Sequence, residues 1–202
     1  MISRWLKDHD YNPDHALCIT VGTDGHSVAK SNIMSVSLGR SDFGTMTYYI
    51  QGAEPAKVLK YTGVTDDMYA DQAMGAARAA ELIKDAVQAA PFIVSYNTKR
   101  FLRKWLEYYF PSLFVDLEYL DVIDLVKAYD AGHELLPADE DCQDVSCLAE
   151  RLASAHVGMK GKYSFDAVCQ REMPEELLSS DILNHAKIEN LLLLWGIILN
   201  RE

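Results

Sequence analysis

Cysteine is scarce in this sequence. Cys18, Cys142, Cys147 and Cys169 are the only four among 202 residues, and they form no CxxC pair. That excludes the dense disulfide framework of a small secreted scaffold, so free thiols in a cytoplasmic protein are the expectation. Cys142-x4-Cys147 brings no complete set of zinc ligands with it. Long apolar runs are missing too. The longest, Leu191 to Leu199, has nine residues including Gly196, about half of the roughly 20 that cross a bilayer. It reads as the buried stretch of a terminal helix, and Met1 to Asn12 has no apolar core of a signal peptide. No membrane role is expected. Positive charge is also in short supply: 19 Lys and Arg against 30 Asp and Glu leave a net charge of -11. Such a field repels phosphate backbones and anionic membranes, so a nucleic-acid role needs a local basic patch or bound metal. Neither an internal repeat nor a low-complexity linker divides the chain.

What is present suits one globular domain over residues 1–202, with 49% hydrophobic and 24% charged residues. Three strand-like runs come first: Ala16 to Val21, Ile33 to Leu38, and Gly44 to Ile50, the last two separated by the polar turn Gly39 to Asp42. They predict an antiparallel meander. From Asp66 to Ala90 the composition turns to Ala, Met, Leu, Glu and Lys, with Met74, Ala77, Ala80 and Ile83 near helical spacing. Thr65 or Asp66 caps this helix and Pro91 ends it. Phe92 to Ser95 is then a fourth strand, expected beside the first. Further along, the pattern predicts a helix over Lys99 to Tyr109, a fifth strand between Phe114 and Leu120, and helices over Val122 to Tyr129 and from Asp144 or Ser146 to Ala155. Pro174, Glu175 and Glu176 have the chemistry of a first helical turn, and a last helix runs from about Ser180 to Asn200. Antiparallel strands followed by alternating helices and strands imply an α/β sandwich on a mixed sheet.

Five segments, in order, resemble the DEDDh 3'-5' exonuclease family. Tyr61 to Asp71, YTGVTDDMYAD, is similar to the passage between the family's first three strands and its next helix. Ile93 to Asn97 resembles the strand opening the second exonuclease motif, and Tyr119 to Leu125 a later strand-to-helix junction. Ser146 to Leu152, SCLAERL, looks like a helix of the family, and His185 to Asn190 follows the H-x-A-x-x-D motif imperfectly. The resemblance covers residues 16–199 and implies a ribonuclease H-like fold, a five-stranded mixed sheet flanked by helices.

The resemblance also implies where chemistry would sit. In the family four carboxylates hold two divalent metals around the scissile phosphate, and a histidine helps to activate water. Aligned with D-x-E-T-T-G, TVGTDG puts Thr20 at the Asp position and Gly22 at the Glu position. The second-motif acid falls on Phe101 in one register and Leu102 in the other. In the last motif His185 is retained and the acid falls on Asn190. None of these replacements offers the anionic oxygen that a hard cation prefers. No catalytic residue, metal or cofactor is therefore expected, and the reading is a catalytically degenerate domain.

His185 has two readings, a polar remnant near Glu189 or a helix-end hydrogen bond; Asp121 and Asp124 are placed to cap a helix. Lys99, Arg100, Arg103 and Lys104 pair at i,i+4 on one helical side near the second motif, the best candidate phosphate contact. Single-stranded DNA or RNA is one candidate ligand; a protein partner or second copy is the other, favoured by the charge of -11. The enzyme alternative is a divergent Mg2+- or Mn2+-dependent 3'-5' exonuclease in which Asp24, Asp121, Glu189 or other acids form the metal cluster.

Overall fold

The computed structural model describes residues 2–11, 14–97, 101–114, 117–132, 142, 145–155, 161, 163–178 and 184–200. A helix α1 (Ile2–Asp8) precedes the meander β1 (Ala16–Thr23), β2 (Ile33–Arg40) and β3 (Gly44–Tyr49). Helices α2 (Leu59–Thr62), α3 (Asp66–Gln72) and α4 (Ala76–Gln88) lead to β4 (Phe92–Ser95). Then come α5 (Arg103–Tyr109), β5 (Tyr119–Asp121), α6 (Val122–Asp130), α7 (Val145–Ala155), α8 (Phe165–Glu172) and α9 (Asn184–Leu199).

The sheet order is β3-β2-β1-β4-β5. β1, β2 and β3 pair antiparallel, whereas β4 runs parallel to β1 and to β5. The mixed five-stranded sheet is the one the sequence predicts, with β4 beside β1. A crossover through helices is what makes β1 and β4 parallel, since a tight turn can only join antiparallel strands.

Both faces of the sheet are covered, which explains the apolar run Ala16–Ile19 at the start of β1. Successive side chains of a strand point to opposite faces. Ala16 and Cys18 thus join Phe92, Val94 and Leu120 under α1, α6, α7, α8 and α9. Leu17 and Ile19 join Ile93 on the other face, against α4 and α5. Helix α9 crosses β1, β2 and β3 and touches α1. Its Ile188, Leu191, Leu194, Trp195 and Ile198 are all fully buried. That spacing is the inward stripe of a helix packed on the sheet, while Leu193 on another side is exposed. At Gly39 of β2 the approach is close: an added Cβ would stand 2.8 Å from Leu192 Cδ1 and 2.9 Å from Ile188 Cγ1. Among the described residues no helix is long and apolar enough to cross a membrane.

The structure corrects several expectations. The helix expected from Asp66 to Ala90 is two helices. Thr65 caps the first, its Oγ1 accepting the Met68 N–H at 3.2 Å. The break comes because Met74 forms a parallel bridge with Ile50: its N–H donates to Tyr49 O and its carbonyl accepts the Gln51 N–H, each at 2.9 Å. Tertiary backbone pairing outweighs helical propensity there. The fifth strand is shorter and later than expected, and α1, α2 and α8 add helices the pattern did not call for. Pro174 opens a 3-10 turn, Glu175–Leu177, instead of an α-helix. Cys142 and Cys147 are not free thiols; they are disulfide-bonded with Cα atoms 5.5 Å apart, leaving Cys18 and Cys169 as buried thiols.

Candidate functional site

The C-terminal ends of β1 and β4, the start of α6, the entry to α8 and the first described turn of α9 surround a cavity of ≈ 390 Å³. Strand β1 contributes Ile19, Thr20 and Val21; the chain after β4 contributes Tyr96, Asn97, Phe101 and Leu102. Ile123 comes from α6, Tyr163, Ser164 and Phe165 from the entry to α8, and Lys187 from α9. Parallel neighbours place the outgoing ends of β1 and β4 side by side, which is why ligand sites of α/β sheets gather at such ends.

Residues on two sequence-distant segments meet here. Thr20 lines the cavity, as do both second-motif registers, Phe101 and Leu102. The Thr20 Oγ1 is buried and has no hydrogen-bond partner among the described residues. Leu102 is fully packed, at 2% exposure. Gly22 does not line the cavity; it is buried opposite Ser35, just before a register shift at Thr23. Asn190 is also absent from the lining and is buried in α9 at 7% exposure. His185 falls within α9, but its side chain lies outside the described residues.

The nearby acids have backbone duties. Asp121 Oδ1 accepts the Asn97 N–H at 2.8 Å and the Ile123 N–H at 3.3 Å. One buried oxygen thus fastens the exit of β4 to the start of α6, the capping role expected of Asp121. Asn97 itself has φ 59°, a left-handed conformation that asparagine tolerates better than most residues. Asp24 accepts the Asn32 N–H at 2.6 Å through Oδ1 and the Glu54 N–H at 3.0 Å through Oδ2. Glu189 is exposed and Asp124 is half-buried in the first turn of α6. Among the described residues no three His, Cys, Asp or Glu side chains are grouped to hold a metal ion. The cavity's donor set of hydroxyls, one amide and one ammonium does not fit a two-cation cage.

Sequence reasoning missed Lys187, Tyr96, Tyr163, Ser164 and Phe165. Burial pulls the Lys187 ammonium below the ordinary lysine value, and the exposed Asp166 carboxylate partly restores it. Tyr96 donates its hydroxyl to the Tyr163 carbonyl at 2.7 Å, and burial pushes that phenol well up. Tyr163 donates to Asp130 Oδ2 at 2.8 Å, and Arg171 pairs with the same oxygen at 3.0 Å. Ser164 caps α8 by accepting the Ala167 N–H at 3.4 Å. This cap was readable: Phe165, Val168 and Cys169 follow it at helical spacing.

The basic cluster is only partly in view. Lys99 and Arg100 lie outside the described residues. Arg103 donates Nε to Glu107 Oε1 at 2.6 Å and stands 5.7 Å from the Tyr119 ring centre, while Lys104 is exposed. An exposed i,i+4 ion pair occupies one of the predicted phosphate contacts. The other described one faces solvent.

No protein-family model and no curated protein matches the chain. Solved structures do. E. coli Exonuclease I in complex with a dT13 oligonucleotide aligns with 92% of this chain and 41% of its own, at 18% identity and a TM-score of 0.57. The same enzyme in complex with a 5cy-dA13 oligonucleotide gives 93% and 40%, 18% identity and a TM-score of 0.56. Another Exonuclease I structure gives 93% and 41%, 18% identity and 0.55. The chain therefore spans about two fifths of the length of these solved proteins. At that identity the likeness is one of fold, and the fold is ribonuclease H-like: an α/β sandwich on a mixed five-stranded sheet.

Proposed function

We propose that the chain is a catalytically degenerate DEDDh exonuclease-like domain that binds single-stranded nucleic acid without metal-assisted cleavage. One observation carries this reading: Thr20 and both registers of the second motif, Phe101 and Leu102, line one cavity, and no carboxylate lines it among the described residues. Two-metal phosphoryl chemistry needs anionic oxygens that hold each cation while attacking and leaving oxygens develop charge. A threonine, a phenylalanine and a leucine perform none of that.

What the cavity retains supports binding. Tyr96, Phe101, Tyr163 and Phe165 supply aromatic surface, and base stacking on such surface contributes about 1–3 kcal/mol per base without requiring a particular sequence. The chain's -11 charge opposes a polyanion, so attraction has to be local, from the cavity and from Lys99, Arg100, Arg103 and Lys104. Against the divergent-nuclease alternative, Asp24 and Asp121 are engaged by backbone amides and Glu189 is exposed.

Fluorescence anisotropy with short single-stranded DNA and RNA, in EDTA and across salt concentrations, tests this directly. Binding that persists in EDTA, weakens with salt and leaves the strands intact is expected. Shortening of the strands on addition of Mg2+ or Mn2+ overturns degeneracy, and absence of binding at low salt overturns the ligand class. Neutralising the four basic residues should flatten the salt dependence by about one unit of slope per lost phosphate contact.

A further inference from the structure

We propose that Lys187 supplies the positive charge with which the cavity holds the phosphate of one nucleotide unit, in the region where a two-metal exonuclease would use cations. The inference rests on the nucleic-acid reading above and names the side chain that would touch the phosphate.

Among the described lining residues Lys187 is the one side chain with a formal charge at neutral pH. It projects from α9 one helical turn before Asn190, on the same helical side as that motif position. It is half-buried beside Thr20, Tyr96 and Phe101 rather than extended into solvent. A lysine can usually keep its ammonium in water by snorkelling along its own stem. Here the charge is partly desolvated, at a cost that a neutral residue would avoid. The Asp166 carboxylate offsets part of that cost, and an anion entering the cavity would add a charge-assisted hydrogen bond to the ammonium.

A second observation is independent of charge. The buried Thr20 Oγ1 has no partner among the described residues, and a buried hydroxyl left without a hydrogen bond is unfavourable. A phosphate oxygen can accept from it. The ≈ 390 Å³ volume lies near the lower end of small-molecule sites, which run from about 300 to 1,000 Å³, so one nucleotide unit is the fitting size. Aromatic walls take the base, and the ammonium and hydroxyl take the phosphate. The unit could arrive as a free nucleotide or as the end of a strand, and the two sources are separable.

Isothermal titration calorimetry in EDTA, with the whole chain, compares adenosine 5'-monophosphate, adenosine and an unphosphorylated dT10 strand, using wild type, Lys187→Met and Lys187→Arg. The monophosphate should bind the wild type more tightly than adenosine. Lys187→Met should weaken the monophosphate by roughly tenfold or more, the worth of a charge-assisted hydrogen bond, and leave adenosine unchanged. Lys187→Arg should stay within about threefold of wild type. Lys187→Gln, similar in length but uncharged, gives the same readout should the methionine variant not fold. Monophosphate binding unaffected by loss of the charge, or no tighter than adenosine, overturns the inference. If dT10 binds and the Lys187 variants bind it equally well, the phosphate role falls and the nucleic-acid reading stands. If the monophosphate binds through Lys187 and dT10 does not bind, the strand-binding reading falls and Lys187 serves a free nucleotide. If nothing binds, both fall.

Discussion

Replacing Gly39 by alanine isolates the contact that seats α9 on the sheet. The new methyl group would stand 2.8 Å from Leu192 Cδ1, 2.9 Å from Ile188 Cγ1 and 3.3 Å from Leu192 Cγ. The two neighbours can yield to different extents. Leu192 is half-buried and its terminal methyl can swing aside, but Ile188 is fully buried and β-branched, so its χ1 is confined. Overpacking of this kind costs about 1–3 kcal/mol. Alanine also restricts the unfolded chain, which returns about 0.4–1 kcal/mol. The net expectation is a loss of about 1–2 kcal/mol, or about 2–8 °C in Tm for a chain of this length. Urea denaturation followed by tryptophan fluorescence measures it, since Trp195 is buried in the displaced helix. In a Leu192→Ala background the cost should shrink by about 0.5 kcal/mol or more, because contacting residues couple. A Gly39→Ala protein as stable as wild type, or more stable, would show that α9 moves freely over β2 and that the close approach carries no energy.

Asp121→Ala removes the acceptor shared by the Asn97 and Ile123 amides and should cost about 1–3 kcal/mol, whereas Asp121→Asn, which keeps an oxygen, should cost less; equal losses by denaturant titration would refute the shared-acceptor account. Lys187 has its pKa lowered by burial, so the unfolded chain binds more protons than the native one between that lowered value and the ordinary value of 10.5. Stability should therefore rise with pH through that window, more in wild type than in Lys187→Met, and Tm profiles that superimpose would contradict this. Burial pushes the Cys169 thiol up to about 12 and Cys18 higher still. Neither should react with an alkylating reagent in the native protein at pH 8. Mass spectrometry after unfolding should find two alkylated cysteines without reductant and four with it; four in both would rule out the Cys142–Cys147 bond.

The sheet was largely legible from residue order. Apolar runs with β-branched residues mark β1 to β4, and Pro91 separates α4 from β4. Where the reading failed, the deciding partner was distant in sequence. Nothing local to Ala73–Gly75 announces that Met74 will pair its backbone with the end of β3. In the site, the expected positions Thr20, Phe101 and Leu102 do converge, because the strand-end geometry is a property of the topology rather than of the acids. Lys187 was overlooked for a different reason. Comparison with a motif directs attention to the residues it requires, His185 and Asn190, and the lysine stands at the motif's alanine position between them. Its half-buried place in the cavity lining is visible only in the structure.

The Met74 bridge also determines how the sheet is bordered. An outermost strand with unpaired amides and carbonyls invites another polypeptide to add on, the usual route to strand-mediated aggregation. On the β3 side, Met74 occupies the backbone groups of Tyr49 and Gln51, closing the far end of that border. On the other side, β5 offers only the three residues Tyr119–Asp121, too short a template for stable pairing. Among the described residues, the part of the β3 border beyond that bridge is Gly44–Tyr48. Interrupting a helix for a single bridge makes sense as border control: one turn of α-helix is given up, and one of two openings to intermolecular β-addition is narrowed to a few residues.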